Sequence, residues 1–475
     1  MKNILIILFL SFNLIYSQEL DRTKKPSPQP TPKLSIPIPQ RGELNNGLKI
    51  MLVEHHEMPV VQVQLVFQSG SSNDPSTKAG VAVLTAQMLD EGTKKRSALQ
   101  ISDDVEYLGS NLNISSSQDA SFASLLTLKD ELENSFEIFA DVILNPTFPS
   151  TEWDRIKKSH LTSLLQRNDQ PGQIASLVYS KVLFGDSHPY GKPTTGTEES
   201  VKQIEVADLV KFYNSFYSPN NATVIVVGDI TLSEAKKLMN KYFGSWEKQE
   251  IAEPTFSTSP TIVENKIYLI DKPQAAQSEI RVGHMGVARS NPDYYAITVL
   301  NSLLGGQFSS RINMNLRESK GYTYGAGSSF SMRKEVGPFT VSGAFRSNVT
   351  DSSIIEIMTE LKNVTMTNIT DKELEQAKNS IIRSQPVDFE TPQQIAGQLM
   401  NLVLYNLPDD YYNTSIQNFE NLTITDIRNA ANKYIHPSKM NIVLVGDMST
   451  VLTGLEKIGS VSILDNNGNK VNGKK

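Results

Sequence analysis

The chain has no cysteine. That excludes disulfides, thiolate metal sites, cysteine nucleophiles and a lipid-modified cysteine at the amino terminus. It has no run of Lys and Arg interleaved with aromatics, and its net charge is -6. Nucleic-acid recognition needs a basic footprint, so that class is set aside. Histidine is scarce, at six residues. No two of His55, His56, His160, His188, His284 and His436 are spaced i, i+4 on a helix or i, i+2 on a strand. His55 and His56 are adjacent, so on a strand they point opposite ways. The six are expected on surfaces and loops, with His188 forming a turn in "HPYG".

What is present begins with an export pattern. A short basic start, Met1-Lys2-Asn3, precedes the apolar run Ile4 to Ile15, and small Ser17 follows. About 12 apolar residues is too short for a bilayer, which needs roughly 20. The reading is a signal peptide over residues 1–17 and a product that is exported, to a periplasm or beyond it, with no membrane attachment after cleavage. Residues 18–40 follow as a Pro-rich linker. Six prolines between Lys24 and Gln40 forbid helix and favour an extended spacer.

The remainder repeats itself. "NSFYSPNNATVIVVGDI" from Asn214 matches "NKYIHPSKMNIVLVGDM" from Asn432, pairing Pro219 with Pro437 and Gly228-Asp229 with Gly446-Asp447. Each copy reads as a helix end, a proline turn and a buried strand. "VVQVQLVFQSG" and "AAQSEIRVGHMG" alternate as strands at matching places, and "FASLLTL" and "GPFTVSGAF" are later strands of each copy. Helices starting near Phe148 and Ile369 carry Thr151 and Thr370 just before them, with acids in the first turn. The chain is thus two similar units of roughly 220 residues each, mixing strands with helices in an α+β arrangement. The units are placed at 41–250 and 263–460, joined by a polar segment at 251–262. A polar tail at 461–475 is expected to be disordered.

Several stretches together resemble one family. They are "LNNGLKIMLVEHHEMPVVQVQLVFQSGSSNDP", "AGVAVLTAQMLDEGT", "HPYGKPTTGTEESV", "FYSPNNATVIVVGDI" and "GGQFSSRINMNLRESKGYTYGAGSSF". In this order they look like the pitrilysin/insulinase-type zinc metallopeptidases, in the branch related to mitochondrial processing peptidase. The resemblance implies two tandem domains of the mitochondrial-processing-peptidase/LuxS-like metallohydrolase type. It also implies an inverted His-x-x-Glu-His motif on one helix, whose two histidines hold zinc and whose glutamate is the general base, and a further glutamate ligand on a later helix. Aligned on the flanking residues, the first histidine falls on Val83, the base on Ala86 and the second histidine on Gln87. The distal glutamate falls near Ser163. Val and Ala have no donor, and one amide and one hydroxyl do not replace the lost ligands. No metal and no catalytic residue is therefore expected on this chain.

The second unit keeps a different part. Arg317 and Tyr324 have the spacing of the family's Arg/Tyr pair, which binds the substrate backbone opposite the zinc. Tyr322 is the neighbour that could be confused with Tyr324, both being expected on one face of a strand. Gly305 and Gly306 read equally as a helix C-cap or as a place for substrate backbone to approach. The resemblance implies a chamber enclosed by two chains. This chain would be the non-catalytic, substrate-binding subunit, inactive alone, with zinc expected in a homologous partner and a peptide as substrate. The alternatives are a catalytically inactive structural or peptide-binding protein of the same fold, and an active zinc peptidase.

Overall fold

The two apolar runs that end in Gly-Asp become the middles of two sheets. In the computed structural model, which describes Thr23, residues 36–366 and residues 368–471, two sheets of six strands each form. The first contains β1 (Gln40–Glu43), β2 (Lys49–Glu54), β3 (Val60–Phe67), β4 (Asn111–Ser116), β5 (Ser121–Leu128) and β6 (Ala222–Gly228), in the order β1-β2-β6-β3-β5-β4. The second contains β7 (Lys266–Asp271), β8 (Gln277–Met285), β9 (Thr323–Phe330), β10 (Pro338–Arg346), β11 (Asn441–Gly446) and β12 (Val461–Leu464), in the order β12-β7-β11-β8-β10-β9. β6 runs parallel to β2 and antiparallel to β3, and β11 repeats this with β7 and β8. The α+β class and the tandem repeat hold.

Why β6 and β11 are apolar throughout is a matter of period. Side chains of a strand alternate between faces, so an unbroken apolar run needs both faces covered. Val224 and Val226 face the core of the first half, while Ile225 and Val227 face a separate cluster. That cluster is supplied by the helix Pro392–Leu404 of the second half, through Ile395, Ala396, Leu399 and Leu402. The exchange is returned. Ile442 and Leu444 of β11 face the second core, whereas Val443 and Val445 face the helix Pro171–Phe184 of the first half, through Ile174, Ala175, Val178 and Phe184. Each buried Leu, Ile or Phe contributes roughly 1.5–3 kcal/mol, so each half depends on a helix lent by the other. From Leu34 onward the chain packs as one compact unit.

The export segment and most of the Pro-rich linker lie outside the described residues. The linker's end does not remain a free spacer. Ile36 is buried, its N–H donates to Asn413 Oδ1 (3.1 Å), and its carbonyl accepts from Asn413 Nδ2 (3.0 Å). The expected tail is also corrected in part. Val461–Leu464 is β12, parallel to β7, because an open sheet edge and the apolar Val461, Ile463 and Leu464 meet there. The turn after it is held by Asp465, whose carboxylate accepts the N–H groups of Asn467 and Asn469. The helix Ser150–Arg167 begins before Thr151 and takes no side-chain cap, whereas Thr370 caps Asp371–Ser384 with Glu373 closing a capping box.

Candidate functional site

The helix Val81–Met88 is apolar almost all round and is buried accordingly. Its first turn is held from outside. The Asp74 carboxylate accepts the N–H groups of Gly80 (2.7 Å) and Ala82 (2.8 Å), satisfying two donors that a helix start leaves free. Burial pushes the Asp74 pKa up to about 7 against those two hydrogen bonds. The loop "HPYGKPTTGTEES" locks this start to the helix Ser150–Arg167. Thr195 O pairs with His160 Nε2 (2.7 Å), and Ser200 Oγ donates to Ala79 O (2.8 Å). Gly196 sits at φ +74°, and a Cβ there would lie 2.3 Å from Ala79 O. That loop motif serves the packing of the two helices.

On this frame the positions implied for zinc contain no ligand set. Val83 is 9% exposed and Ala86 is 0% exposed. Gln87 faces solvent. Ser163 is exposed, and its hydroxyl donates to Ser159 O of its own helix (3.2 Å). Among the described residues no three His, Asp or Glu side chains gather as a metal site. Asp90 and Glu91 follow the helix. Burial pushes the Asp90 pKa up to about 6, and Glu91 pairs with Arg155. These residues do not fit zinc, and a closed alanine at the base position has neither a proton acceptor nor access to a substrate.

The second half presents the opposite character. Two π-helical stretches, Ser302–Gly306 and Met314–Ser319, flank the short helix Arg311–Asn313; such irregular turns recur at functional sites. Arg317 lies in the second stretch. Its side chain is 41% exposed, its Nε is 3.2 Å from Glu318 Oε1, and its guanidinium lies 4.8 Å over the Phe308 ring. Nη1 and Nη2 have no partner among the described residues. Tyr322 N–H donates to Leu316 O (2.8 Å), which joins this stretch to β9.

Tyr322 and Tyr324 do not share a face. Tyr322 packs against the second core, while Tyr324 is 89% exposed. A bulge separates them: Phe345 pairs with Thr323 but Gly343 pairs with Ala326, leaving one extra residue on β9. The Thr323 hydroxyl donates to Ala344 O (2.6 Å) and accepts from Gly325 N–H (3.0 Å), fixing the bulge. An extra residue turns the following side chains over, so Tyr324 points out from the sheet's edge strand. Phe308 was not foreseen. It is 60% exposed beneath Arg317, and the only hint was an aromatic two residues after a glycine pair. Gly305 sits where a helix end meets a strand. A Cβ there would lie 2.4 Å from Ser328 N, so it lets a helix end pack on β9.

The histidines need correction as well. His160, His188 and His284 are buried. His188 Nδ1 accepts from Tyr190 N–H (3.0 Å), so the expected turn is there. Burial lowers the His284 pKa to about 4, and His284 Nε2 accepts from His436 N–H (3.2 Å). These rings satisfy backbone groups inside the fold.

Known proteins are similar to this chain. The family model "Insulinase (Peptidase family M16)" matches residues 49–191, and "Peptidase M16 inactive domain" matches residues 203–381. The uncharacterized zinc protease YmxG of Bacillus subtilis is 26% identical over 356 residues, covering 74% of this chain and 85% of the relative. The non-peptidase homolog YmxG of Helicobacter pylori is 24% identical over 416 residues, covering 85% and 93%. Among solved structures, a peptidase M16 inactive domain from Pseudomonas fluorescens superposes with a TM-score of 0.81 at 29% identity, covering 86% of this chain and 98% of that one.

Proposed function

Since the chain belongs to the insulinase-type peptidase family M16, we propose that it is the non-catalytic, substrate-binding subunit of an exported heterodimeric zinc metallopeptidase that degrades peptides. The observation that carries the reading is the contrast between the halves. The family's ligand and base positions hold Val83, Ala86, Gln87 and Ser163, while Arg317 and Tyr324 are displayed outward on the second half. The zinc and the base would come from a homologous partner chain. Arg317 and Tyr324 would bind the peptide backbone and donate to the carbonyl oxygen as it gains negative charge. Two unengaged guanidinium nitrogens and a free phenol suit that role. The apolar run at Ile4 to Ile15 supports export, to a periplasm in the first instance.

The same fold without catalysis, as a structural or peptide-binding protein, is the second reading. It is favoured by the name of the Helicobacter pylori relative, a non-peptidase homolog. One experiment separates the two. The chain is purified alone and together with a co-expressed relative that has an intact His-x-x-Glu-His motif, and peptide cleavage is assayed. The proposal expects no cleavage by the single chain, cleavage by the pair, and a large loss in the pair on Arg317→Ala. Cleavage by the single chain, or no effect of Arg317→Ala, overturns it.

A further inference from the structure

The second half contains its own version of the place where the family holds zinc. By element order, the helix Tyr294–Asn301 stands where Val81–Met88 stands, and Asp371–Ser384 stands where Ser150–Arg167 stands. In the first half that place is closed by buried Val83 and Ala86. In the second half it borders a cavity of about 440 Å³, which takes Thr298 and Asn301 from the first of these helices and Ile381 and Ser384 from the second. The lent helix Pro392–Leu404 closes another side. Its Ile395, Leu399 and Leu402 pack on the first sheet, and Gln398 and Asn401, to one side of that face, line the cavity.

Arg289 supplies the charge. Its guanidinium carbon lies 3.5 Å from the centre of the Tyr294 ring, with Tyr411 at 5.1 Å and Tyr405 at 5.8 Å. Its Nη2 donates to Tyr411 Oη (2.6 Å). No carboxylate pairs with it among the described residues. One acid, Asp388, faces the same cavity, and it makes no ion pair there. Ring faces hold a cation in position without neutralising it, so the site has an oriented positive charge that no carboxylate among the described residues pairs with.

We infer that this cavity binds the free carboxylate of a short peptide, with Arg289 as the cation. A guanidinium fork matches a planar carboxylate with two parallel hydrogen bonds. Ile297, Phe330 and Phe419 offer an apolar wall for the last side chain, and Gln398 and Asn401 offer amides for a peptide bond. The volume falls within the about 300–1,000 Å³ of small-ligand sites, which suits the end of a peptide and not a long segment. The inference rests on peptides being the ligands of this chain, but it needs neither partner nor cleavage.

The test is calorimetric, on the isolated full chain, with a four-residue peptide ending in phenylalanine and its carboxy-terminal amide. The free acid is expected to bind at least about tenfold more tightly than the amide, since the amide loses the charged partner of Arg289. Arg289→Gln should erase that difference, and Arg289→Lys should keep part of it. Equal binding of acid and amide to the wild type, or no binding of either, overturns the inference without recourse to any variant. Discrimination that survives Arg289→Gln overturns it too. None of these outcomes bears on cleavage by the two-chain assembly, so the two proposals fail separately.

Discussion

The two halves share an element order and differ in what they do with it. Their sheets have the same strand order except at one edge, where β1 runs antiparallel to β2 and β12 runs parallel to β7. Their middle strands are covered in the same reciprocal way. Yet the first half seals its helix Val81–Met88 in hydrocarbon, and the second half sets a guanidinium and a phenol in solvent. Packing and chemistry are therefore carried by different residues of one scaffold. Replacing a zinc ligand by Val or a base by Ala leaves the core intact, because those positions already face inward.

The largest way to break the comparison is to cut the exchange of helices. Both tryptophans, Trp153 and Trp246, belong to the first half and pack in its core. Leu399→Ala, in the second half, should destabilise the protein by about 2–5 kcal/mol through a buried cavity. The unfolding midpoint followed by tryptophan fluorescence should fall with that followed by far-UV circular dichroism. A tryptophan transition that stays in place while the dichroism moves would show the halves to be independent.

Next comes the chemical half of the comparison. In the proposed two-chain assembly, Arg317→Ala should lower kcat/KM by about a hundredfold or more, the usual loss for one donor to a developing oxyanion, about 2.7–4 kcal/mol. Tyr324→Phe should act in the same direction, while Tyr322→Phe should have little effect, because Tyr322 packs against the core. Equal losses for the two tyrosines would contradict the bulge at Thr323.

A smaller contrast lies at the starts of two corresponding helices. Burial alone would raise the Glu373 pKa, but the Arg311 guanidinium and the Thr370 N–H and hydroxyl outweigh it and bring it down to about 2. A depressed carboxyl pKa contributes stability that is present above its unfolded value and lost as pH falls through the folded one. The contribution should therefore fade between about pH 4.5 and pH 2. Glu373→Gln should cost on the order of 1–3 kcal/mol at neutral pH, with the variant converging on the wild type near pH 2 in acid denaturation. Glu152→Gln, in the first half, should cost under about 1 kcal/mol, since Glu152 meets only Arg155 at the surface.

These contrasts also show what was legible beforehand. Short-range signals carried well. "TVIVVGD" and "NIVLVGD" marked the middle strands because an apolar run ending in Gly-Asp is a local pattern, and Thr370 with Glu373 marked a helix start. Arg317 and Tyr324 were singled out through their spacing in a resembled motif. What escaped was set by distant contacts. Nothing near Pro392–Leu404 says that it covers the other half's sheet, since an amphipathic face does not name its partner. The bulge depends on Thr323 meeting Ala344 across the strand pair, and β12 depends on an edge left open beside β7. The buried histidines were misjudged because their partners, Thr195 O, Tyr190 N–H and His436 N–H, are supplied by the folded chain.

The smallest expected effect is none, and it sharpens the comparison most. A zinc held at such a site would stabilise the folded chain by about 4 kcal/mol at roughly a thousandfold excess over its Kd, so removing it would lower a melting midpoint by several degrees. Val83 and Ala86 offer no lone pair, Gln87 offers a neutral amide, and the Ser163 hydroxyl is already bonded to Ser159 O. Incubation of the purified chain with excess EDTA should therefore shift its Tm by less than about 1 °C, and elemental analysis should find well under one zinc per chain. A fall of several degrees would mean that other residues hold a metal. The first half would then have kept the chemistry that the comparison assigns away from it, and Arg317 and Tyr324 would have no need of a second chain.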